Sequence, residues 1–284
     1  MSKQKQPTAN FAEPDWKYYK HALIPTTPPH KEIDASVLDG PRFWHSFDES
    51  SQKILFARWS SDWDCGEETS YWYVIKDTPF DIASLKSKRR YEINKGLSHF
   101  RVGKLDYKAE KDGIYHVRLA AGQGYSKTPK IDQEKLFSAI EHRWDTLYTH
   151  TYGAWSKETG KLCAYALCRQ NGRYMNFALL YANPNCEKFG VNAALVYGVL
   201  QDLESFLASG GYLCDGSRTL VHETAFQDYL EKYFEFRKAY CHLHIKYHGI
   251  GHAIKLLYPF RKCFSKRIFK NLYALLQMEE IART

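Results

Sequence analysis

The stretch from Lys161 to Tyr247 constrains the fold most, because different elements follow one another there in a distinctive order. It has the pattern of a hairpin, a long amphipathic helix, a strand that ends at Asp215, a second helix and a strand with one polar face. Strands that alternate with helices in this way are typical of a sheet with helices packed on its faces. The sequence therefore predicts the α/β (α+β) class.

Three strands are predicted at the start of this stretch and just before it. They cover Tyr152–Ser156, Cys163–Arg169 and Tyr174–Tyr181, and all are rich in aromatic or apolar residues. The segment Gln170–Arg173 between the last two contains Asn-Gly, which favours a tight turn. We therefore expect the second and third strands to form a hairpin.

A long helix is predicted after Pro184. Its apolar positions recur at spacings of four, three, four, three and four, which indicates one buried face over five turns. Those positions are Phe189, Ala193, Val196, Leu200, Leu203 and Leu207. The pair Gly210-Gly211 is expected to end the helix, because glycine favours the left-handed conformation that follows a helix.

The next elements bring polar residues to a strand end. Tyr212–Cys214 is predicted as a short buried strand, and Asp215–Arg218 leaves its carboxyl end. Thr224–Gln227 has the pattern of a capping box that opens a helix. The core face of that helix is expected to carry Phe226, Tyr229, Leu230, Tyr233 and Phe234. A strand at Phe236–His248 then alternates polar and apolar side chains.

The rest of the chain divides into segments by composition. Residues 1–40 are expected to be loosely ordered, residues 41–125 to form a first lobe, residues 126–248 a second lobe, and residues 249–284 a basic helical tail broken at Pro259. The tail's apolar side is expected to carry Phe260, Phe264, Ile268, Leu272 and Leu275. The front-half predictions are strands at Ile54–Trp59, Tyr71–Ile75, Phe100–Leu105 and Ile114–Leu119, and helices at Phe80–Leu97 and Asp132–Tyr148.

Composition bounds the class of protein. The 284 residues include 44% hydrophobic residues and 16 Phe, 21 Tyr and 7 Trp, so wholesale disorder is excluded. Seven cysteines without a Cys-x-x-Cys pair argue against a disulfide framework or a zinc ribbon. The sequence shows neither a signal-peptide pattern at its start nor an apolar run of membrane-spanning length. We expect a cytoplasmic setting and no transmembrane segment.

The net charge of +8 is concentrated near the end of the chain. Nine Lys or Arg residues and no Asp or Glu lie between Arg237 and Met278. Such a block favours anionic partners, namely phosphate groups, nucleic acid or a membrane surface, with peripheral membrane contact expected through residues 255–276. The alternative is a helical face that only meets water.

The order of elements resembles the GNAT acyltransferase fold, a mixed central sheet flanked by helices. The run Tyr229–Lys238 is similar to the family's closing phrase, where the last helix enters a strand through a Phe-Gly-Phe-like turn, although Glu235 stands in the glycine place. Ser87–Gly96, leading to Phe100–Val102, resembles the first lobe of the FemAB-like branch. This resemblance implies two GNAT-type lobes in one chain. It covers roughly residues 54–248.

The resemblance places an acyl donor at the start of the long helix. In the family the loop there binds the pyrophosphate of acetyl-CoA through free backbone N–H groups and the helix dipole. Here the matching run is Glu187–Asn192; it keeps Gly190, but Glu187 replaces a Gln or Arg. The donor is thus either acetyl-CoA or another acyl-CoA, or an aminoacyl-tRNA as in FemAB-like enzymes. The implied donor-binding residues are Leu180, Tyr181, Lys188, Gly190, Val191 and Asn192.

The catalytic residues are expected where a strand ends. Asp215 could deprotonate or orient an amine, with His222 close in sequence and Tyr229 as a general acid. Against these roles, Asp215 could belong to an ordinary turn, His222 to a helix start and Tyr229 to the core. The backbone of Phe177–Tyr181 is expected to polarise the donor carbonyl.

The acceptor is expected to meet a few polar side chains. The candidates are Asn176, Ser217, Arg218 and His244. Asn176 either points into the cleft or is a buried amide satisfied by the backbone. His244 shares a strand face with His242, His248 and Lys246, and the lysine argues against a metal there, so no metal is expected.

Two functions follow from these residues. The first is an N-acyltransferase acting on an amine, for which the resemblance implies an envelope sugar or peptide precursor as acceptor. The second is a non-catalytic binding protein whose basic tail docks on nucleic acid or an anionic membrane surface.

Overall fold

The computed structural model describes residues 16–47, 53–122, 131–144, 148–219, 225–264 and 268–284. Their contacts divide the chain into two compact units. The first unit consists of residues 1–72, 218–223 and 239–284, and the second of residues 73–217 and 224–238. The segment boundaries at 40, 125 and 248 stay predictions, because a division by contacts does not test them.

Ten strands and ten α-helices lie in the described ranges. The strands are β1 (Trp16–Tyr19), β2 (Ala22–Pro25), β3 (Phe56–Ser61), β4 (Tyr71–Lys76), β5 (Phe100–Lys104), β6 (Thr149–Ser156), β7 (Leu162–Asn171), β8 (Tyr174–Ala182), β9 (Tyr212–Ser217) and β10 (Arg237–Tyr247). The helices are α1 (Pro41–His45), α2 (Ser87–His99), α3 (Lys111–Gly122), α4 (Gln133–Arg143), α5 (Pro184–Glu187), α6 (Val191–Asp202), α7 (Glu204–Ala208), α8 (Ala225–Phe234), α9 (Ala253–Leu257) and α10 (Lys270–Ile281). This mixture confirms the predicted α/β class.

The first unit contains a small mixed sheet in the order β1-β2-β3-β10. β1 and β2 are antiparallel, β2 and β3 parallel, and β3 and β10 antiparallel. The predicted alternation along β10 is confirmed, since Leu243 and Tyr247 are buried and His242 is exposed. Trp16, Leu23, Trp44 and Ala57 belong to one hydrophobic cluster of this unit.

The prediction that residues 1–40 are loosely ordered is wrong for residues 16–40. β1 and β2 form a hairpin there, and a 3₁₀ helix follows at Ala35–Asp39. Leu23 and Leu38 are almost fully buried in the cluster. The prolines that suggested disorder do not prevent packing, since Pro25 is the last residue of β2 and pairs with Trp16, and Pro28 and Pro29 follow the hairpin.

The second unit is built on a sheet in the order β4-β9-β8-β7-β6-β5. β8 and β9 are parallel, and the other neighbouring pairs are antiparallel. α3 and α4 pack on the face that carries Tyr165 and Leu167. Tyr152 lies on the opposite face, because it pairs with Ala166, and its hydroxyl donates to Asp202 of α6 at 2.8 Å. Helices therefore flank both faces of this sheet.

One predicted strand is a helix. Ile114–Leu119 lies inside α3, where Ile114 and Val117 are buried. These two residues are three apart, so they share one face of a helix and pack against the sheet. The short run also alternates in a way that fits a strand, and periodicity alone cannot separate the two readings over six residues.

The predicted long helix is interrupted. Gly190 has a φ of +82° and stands between α5 and α6, and α7 follows as a separate short helix. Phe189, predicted to be buried, is 38% exposed. The other predicted core positions, Ala193, Val196, Leu200, Leu203 and Leu207, are buried.

The hairpin between β7 and β8 is confirmed with a shifted turn. Asn171 pairs with Tyr174, so Gly172 and Arg173 are the two residues of the loop. Gly172 has a φ of +60°, as tight hairpin turns require at their first central position. The predicted helices at Phe80–Leu97 and Asp132–Tyr148 are present as the shorter α2 and α4, and Asp132 caps α4.

The turn between α8 and β10 keeps the geometry of a glycine turn without the glycine. Glu235 has a φ of +57°, a conformation that costs a non-glycine residue energy. Its carboxylate lies 3.6 Å from Lys76 Nζ, whose side chain is buried. Burial lowers the pKa of Lys76, and the Glu235 charge opposes that shift. The ion pair gives buried Lys76 an anionic partner at this turn.

Replacing Glu235 with glutamine is expected to lower the free energy of unfolding by about 1–2 kcal/mol, because buried Lys76 loses its anionic partner. The expected loss is smaller than for a fully buried pair, since Glu235 is 42% exposed. Urea denaturation measures the change. Glu68→Gln is the matched control, because Glu68 is exposed. Equal stabilities of the two variants would contradict the role of the pair.

The C-terminal region is helical, as predicted, and Pro259 is the second residue of a 3₁₀ segment at Tyr258–Cys263. The predicted packing of its apolar side is wrong in part. Phe260 and Ile268 are 61% and 73% exposed. α10 instead buries Ala274, Leu276 and Met278. No helix in the described ranges has the length and apolar character needed to cross a membrane.

Candidate functional site

β8 and β9 separate part of the way along their length. Their parallel pairing covers only Tyr174–Asn176 of β8, opposite Tyr212–Cys214 of β9. β8 then continues to Ala182 alongside β7, while β9 continues beside β4. Within the described residues, the later half of β8 thus has an edge without a strand partner. Backbone groups on such an edge can bind a ligand.

A β-bulge lies on β8 just after the separation. Cys168 pairs with Phe177 and Leu167 pairs with Leu179, so Ala178 is the extra residue. A bulge changes the direction of backbone groups and is frequent beside functional sites. This segment is the one predicted to polarise a donor carbonyl, and the bulge directs backbone groups near Ala178 away from a regular ladder.

The start of α6 follows β8 closely in the chain. Gly190 precedes it, and the amides of the first turn have no acceptor within the helix. They and the helix dipole can attract an anion. Asn192 Oδ1 is buried here without a hydrogen-bond partner among the described residues. Lys188 is exposed at the end of α5, and its ammonium group lies 5.0 Å from the centre of the Phe189 ring.

α8 covers the place where β8 and β9 separate. The Phe177 and Phe226 rings are 6.2 Å apart, which joins β8 to α8. Asp215 follows Cys214, the last residue of β9 that pairs with β8, and its carboxylate accepts a hydrogen bond from the Gln227 side chain. Gln227 is itself buried and also donates to Ser217 O at 3.3 Å. Asp215 and Ser217 are thus held together under one helix.

The environment of Asp215 changes its protonation. Burial raises the pKa of this carboxyl to about 7, and the Gln227 hydrogen bond lowers it only in part. Such a group exchanges protons near neutral pH, which suits a general base. A group that exchanges protons near neutral pH is what the predicted catalytic role of Asp215 requires, and that role stays a prediction.

Tyr229 lies one turn from Phe226 on α8, with ring centroids 6.2 Å apart. Its ring also contacts Tyr233 and Phe234. Burial raises the pKa of its hydroxyl well above the ordinary value, so Tyr229 stays protonated at neutral pH. It can donate a proton, but most of its contacts are those of a core residue, and its catalytic role stays a prediction.

The remaining donor-side residues occupy different faces. Leu180 and Tyr181 are neighbours in the regularly paired part of β8, so their side chains point to opposite sides of the strand. The Arg118 guanidinium lies 3.7 Å from the centre of the Tyr181 ring, on the side of α3. Val191 is fully buried, so only its backbone amide could meet a ligand.

Asn176 is not brought together with Asp215. Asn176 pairs with Cys214 and shares its side of the sheet, whereas Asp215 and Phe177 each follow on the opposite side. A direct shared contact of Asn176 and Asp215 with one small group is therefore disfavoured. Asn176 is only partly buried in β8, and its predicted role in acceptor binding stays a prediction.

Arg218 belongs to the first unit. Its backbone amide donates to Trp72 O at 2.8 Å, and its guanidinium donates to Ser70 O. The same guanidinium lies 4.6 Å from the centre of the Trp72 ring. These contacts fix the side chain, and its predicted role in acceptor binding stays a prediction.

His244, also in the first unit, belongs to a polar cluster that sequence reasoning missed. Its Nε2 lies 2.7 Å from Ser61 Oγ, and Asp62 Oδ2 lies 2.7 Å from the same oxygen. The imidazole stacks on Trp59 with a centroid distance of 5.3 Å. Burial lowers the pKa of His244, which favours the neutral ring. Ser61 could not be found from the sequence, because it comes from a strand far away in the chain.

Two further predictions concern His222 and metals. His222 lies outside the described residues, and so does Thr224, the first residue of the predicted capping box. In the described ranges, no group of three or more His, Cys, Asp or Glu side chains is arranged to hold a metal ion. His248 stacks on Trp44 at 4.4 Å, in line with a packing role.

Comparison with known proteins identifies the fold. No family model matches the chain, and no curated protein matches it. Solved structures do match. A conserved protein of unknown function from Bacteroides thetaiotaomicron is similar with a TM-score of 0.52 at 12% identity, covering 80% of this chain and 79% of that one. FemX is similar with a TM-score of 0.50 at 9% identity, covering 79% and 81%.

L-PGS from Bacillus licheniformis also matches, with a TM-score of 0.49 at 13% identity, covering 95% of this chain and 85% of that one. The similarity to FemX and the separated strands β8 and β9 agree with the resemblance drawn from the sequence. The chain has a GNAT-like fold of the FemAB type.

Proposed function

We propose that the protein is an N-acyltransferase that transfers an acyl or aminoacyl group to an amine. The observation that carries this proposal is the position of Asp215, a partly buried carboxyl beside Gln227 where β8 and β9 separate, whose loss of hydration raises its pKa to about 7. An amine is nucleophilic only when it is neutral, so the reaction needs a group that accepts a proton near neutral pH. Asp215 meets this requirement.

The donor is proposed to lie along the open edge of β8. Backbone amides near Ala178 would polarise its carbonyl, and the first turn of α6 would meet its anionic part. The amine attacks the carbonyl carbon, Asp215 accepts the proton, and the donor's thiol or tRNA hydroxyl leaves as its bond to that carbon breaks. Direct attack within a ternary complex is proposed, with Tyr229 able to protonate the leaving group.

The chemistry of the loop before α6 bears on the donor. Glu187 is exposed at the end of α5, and a carboxylate beside a pyrophosphate is unfavourable. The loop therefore favours an aminoacyl-tRNA over CoA bound in the ordinary way of the family. A CoA-dependent enzyme would need the exposed Lys188 to offset the Glu187 charge.

Calorimetric titration and single-turnover assays test this proposal. The purified chain is titrated with acetyl-CoA, longer acyl-CoAs and free CoA, and then incubated with tRNA charged with radiolabelled amino acids and a panel of amines. Saturable CoA binding should raise the free energy of unfolding by about 2.7 kcal/mol when the ligand is at a hundred times its Kd. Amide formation from charged tRNA without CoA binding would assign the aminoacyl donor.

A matched variant sharpens the choice of donor. Glu187→Gln removes the carboxylate charge with little change in shape, so CoA affinity should increase in this variant if the α6 start is a pyrophosphate site. Glu204→Gln, at the start of α7, is the control. Neither CoA binding nor transfer from charged tRNA to any amine would overturn the proposed function.

A further inference from the structure

The C-terminal region carries an unusual concentration of exposed apolar side chains. Nine large hydrophobic side chains are exposed in the described part of the chain, and five of them lie between residues 250 and 269. The five are Ile250, Leu256, Phe260, Ile268 and Phe269. Single exposed apolar residues are ordinary, but a local group of this kind marks a contact surface.

Several of these residues share one side of a helical segment. Leu256 and Phe260 are four residues apart across α9 and the 3₁₀ segment at Tyr258–Cys263. On the side turned to the protein, α9 buries Ile254, and Gly251, which precedes the helix, is also buried. The segment therefore has apolar residues both on its buried side and on its exposed side.

Ile268 and Phe269 extend the outer side. The Phe269 ring contacts Phe264 at 5.6 Å, just after the 3₁₀ segment, and α10 packs against α9. We define the apolar–basic patch as Leu256, Phe260, Ile268 and Phe269 together with Lys255, Lys262 and Lys270. All seven side chains are exposed.

The charge of the patch identifies its partner as anionic. No Asp or Glu occurs between Arg237 and Met278, and the described carboxylates form no ion pair with Lys255, Lys262 or Lys270. Arg261, by contrast, turns inward and pairs with Glu280 at 3.1 Å. The lysines are thus arranged to neutralise charge on a partner rather than within the protein.

We propose that the apolar–basic patch docks on an anionic lipid membrane surface. Aliphatic side chains such as Leu256 and Ile268 gain free energy by entering acyl chains, whereas nucleic acid offers stacking surfaces that suit only aromatic rings. A second copy of the chain is disfavoured as the partner, because a symmetric contact would bring the same lysines of both copies together. The docking does not depend on acyl transfer.

Vesicle sedimentation with the full chain tests the proposal. The vesicles contain either equal parts of phosphatidylglycerol and phosphatidylcholine, or phosphatidylcholine alone. The protein should sediment with the anionic vesicles, and added salt should weaken the binding because the lysine contribution is screened. Binding to both kinds of vesicle alike would contradict the role of the lysines.

Two sets of substitutions separate the contributions. L256S/F260S/I268S should weaken binding to anionic vesicles by at least about tenfold, because the variant inserts less apolar surface. K255Q/K262Q/K270Q should weaken it between about tenfold and a hundredfold and flatten its salt dependence. Y91S/Y148S is the matched control, since Tyr91 and Tyr148 are 61% and 64% exposed but lie elsewhere.

Three outcomes would overturn the proposal. One is unchanged vesicle binding in both triple variants. Another is binding to polyuridylic acid, lost in the triple variants, without binding to vesicles. The third is a concentration-dependent dimer, detected by analytical ultracentrifugation, that disappears in L256S/F260S/I268S while vesicles stay unbound. Thermal unfolding of each variant checks that its fold is intact.

Discussion

Replacing Asp215 with asparagine is expected to reduce the rate of transfer by about 10²–10⁴-fold, because the amine acceptor loses its general base. Donor binding should be unchanged, since the proposed donor contacts are backbone groups of β8 and the start of α6. Single-turnover rates and calorimetric Kd values measure the two effects separately. Asp228→Asn is the matched control, because Asp228 is an exposed carboxylate of the same helix α8 that covers Asp215.

The pH dependence gives a second test of the same residue. Because the Asp215 carboxyl has a pKa of about 7 and must be deprotonated to act, kcat/KM should rise with pH through that value. Gln227→Leu removes the hydrogen bond that lowers this pKa, so the rise should move to higher pH. A profile that is the same in both proteins would contradict the assignment of Asp215 as the base.

Asp215→Asn should increase the free energy of unfolding above pH 7 although it lowers the rate of transfer. The folded pKa of about 7 exceeds the ordinary 3.8, so the folded state binds protons more strongly between these values. The wild-type protein therefore loses stability as pH rises through that window, by at most about 4 kcal/mol. The variant has no buried charge and should be the more stable protein above pH 7. Urea denaturation of both proteins as a function of pH measures whether the wild type loses stability relative to the variant as the pH rises.

The elements of the second unit could largely be predicted, because their buried residues recur at the regular spacings of strands and helices. β6 to β9 follow apolar runs, and α8 follows a stripe of core residues at helical spacing. α3 could not be predicted, since Tyr115, Val117 and Leu119 alternate as in a strand over the same short run in which Ile114 and Val117 have helical spacing. The interruption at Gly190 was also hidden, because the apolar spacing continues across it.

The sequence predicts where Asp215 lies in the fold but not the properties of its carboxyl. Asp215 was selected because strand ends collect ligands, and it does lie where β8 and β9 separate. Its raised pKa depends on burial under α8 and on Gln227, which the sequence pattern does not connect to it. Likewise, the sequence predicts that Asn176 binds the acceptor on which Asp215 acts, and only the register places the two side chains on opposite sides of the sheet. Contacts between distant residues decide such properties.

The exposure of the apolar residues in the C-terminal region could not be predicted from the sequence pattern either. A helical pattern identified Phe260 and Ile268 as one side of the tail, but periodicity cannot tell whether that side meets the protein or a partner. The charge of the neighbouring lysines was the only sign in the sequence that the side faces outward.

Replacing Gly96 with alanine is expected to destabilise the second unit, although alanine favours helices. Gly96 lies in α2, and a Cβ atom there would stand 2.3 Å from the carbonyl oxygen of Gly190 and 3.0 Å from Ala194. The intrinsic gain in the helix is about 1 kcal/mol. Moving α2 away from the start of α6 costs more, so we expect a net loss of about 1–3 kcal/mol in the free energy of unfolding.

The same change tests whether the start of α6 binds the donor. Displacing Gly190 moves the first-turn amides, so Gly96→Ala should weaken donor binding as well as stability. Gly103→Ala is the matched control, because nothing lies within 4 Å of a Cβ atom at Gly103. A Gly96→Ala protein that is less stable but binds the donor normally would place the anionic part of the donor elsewhere. In that case the close contact of Gly96 and Gly190 serves the packing of α2 on α6 alone.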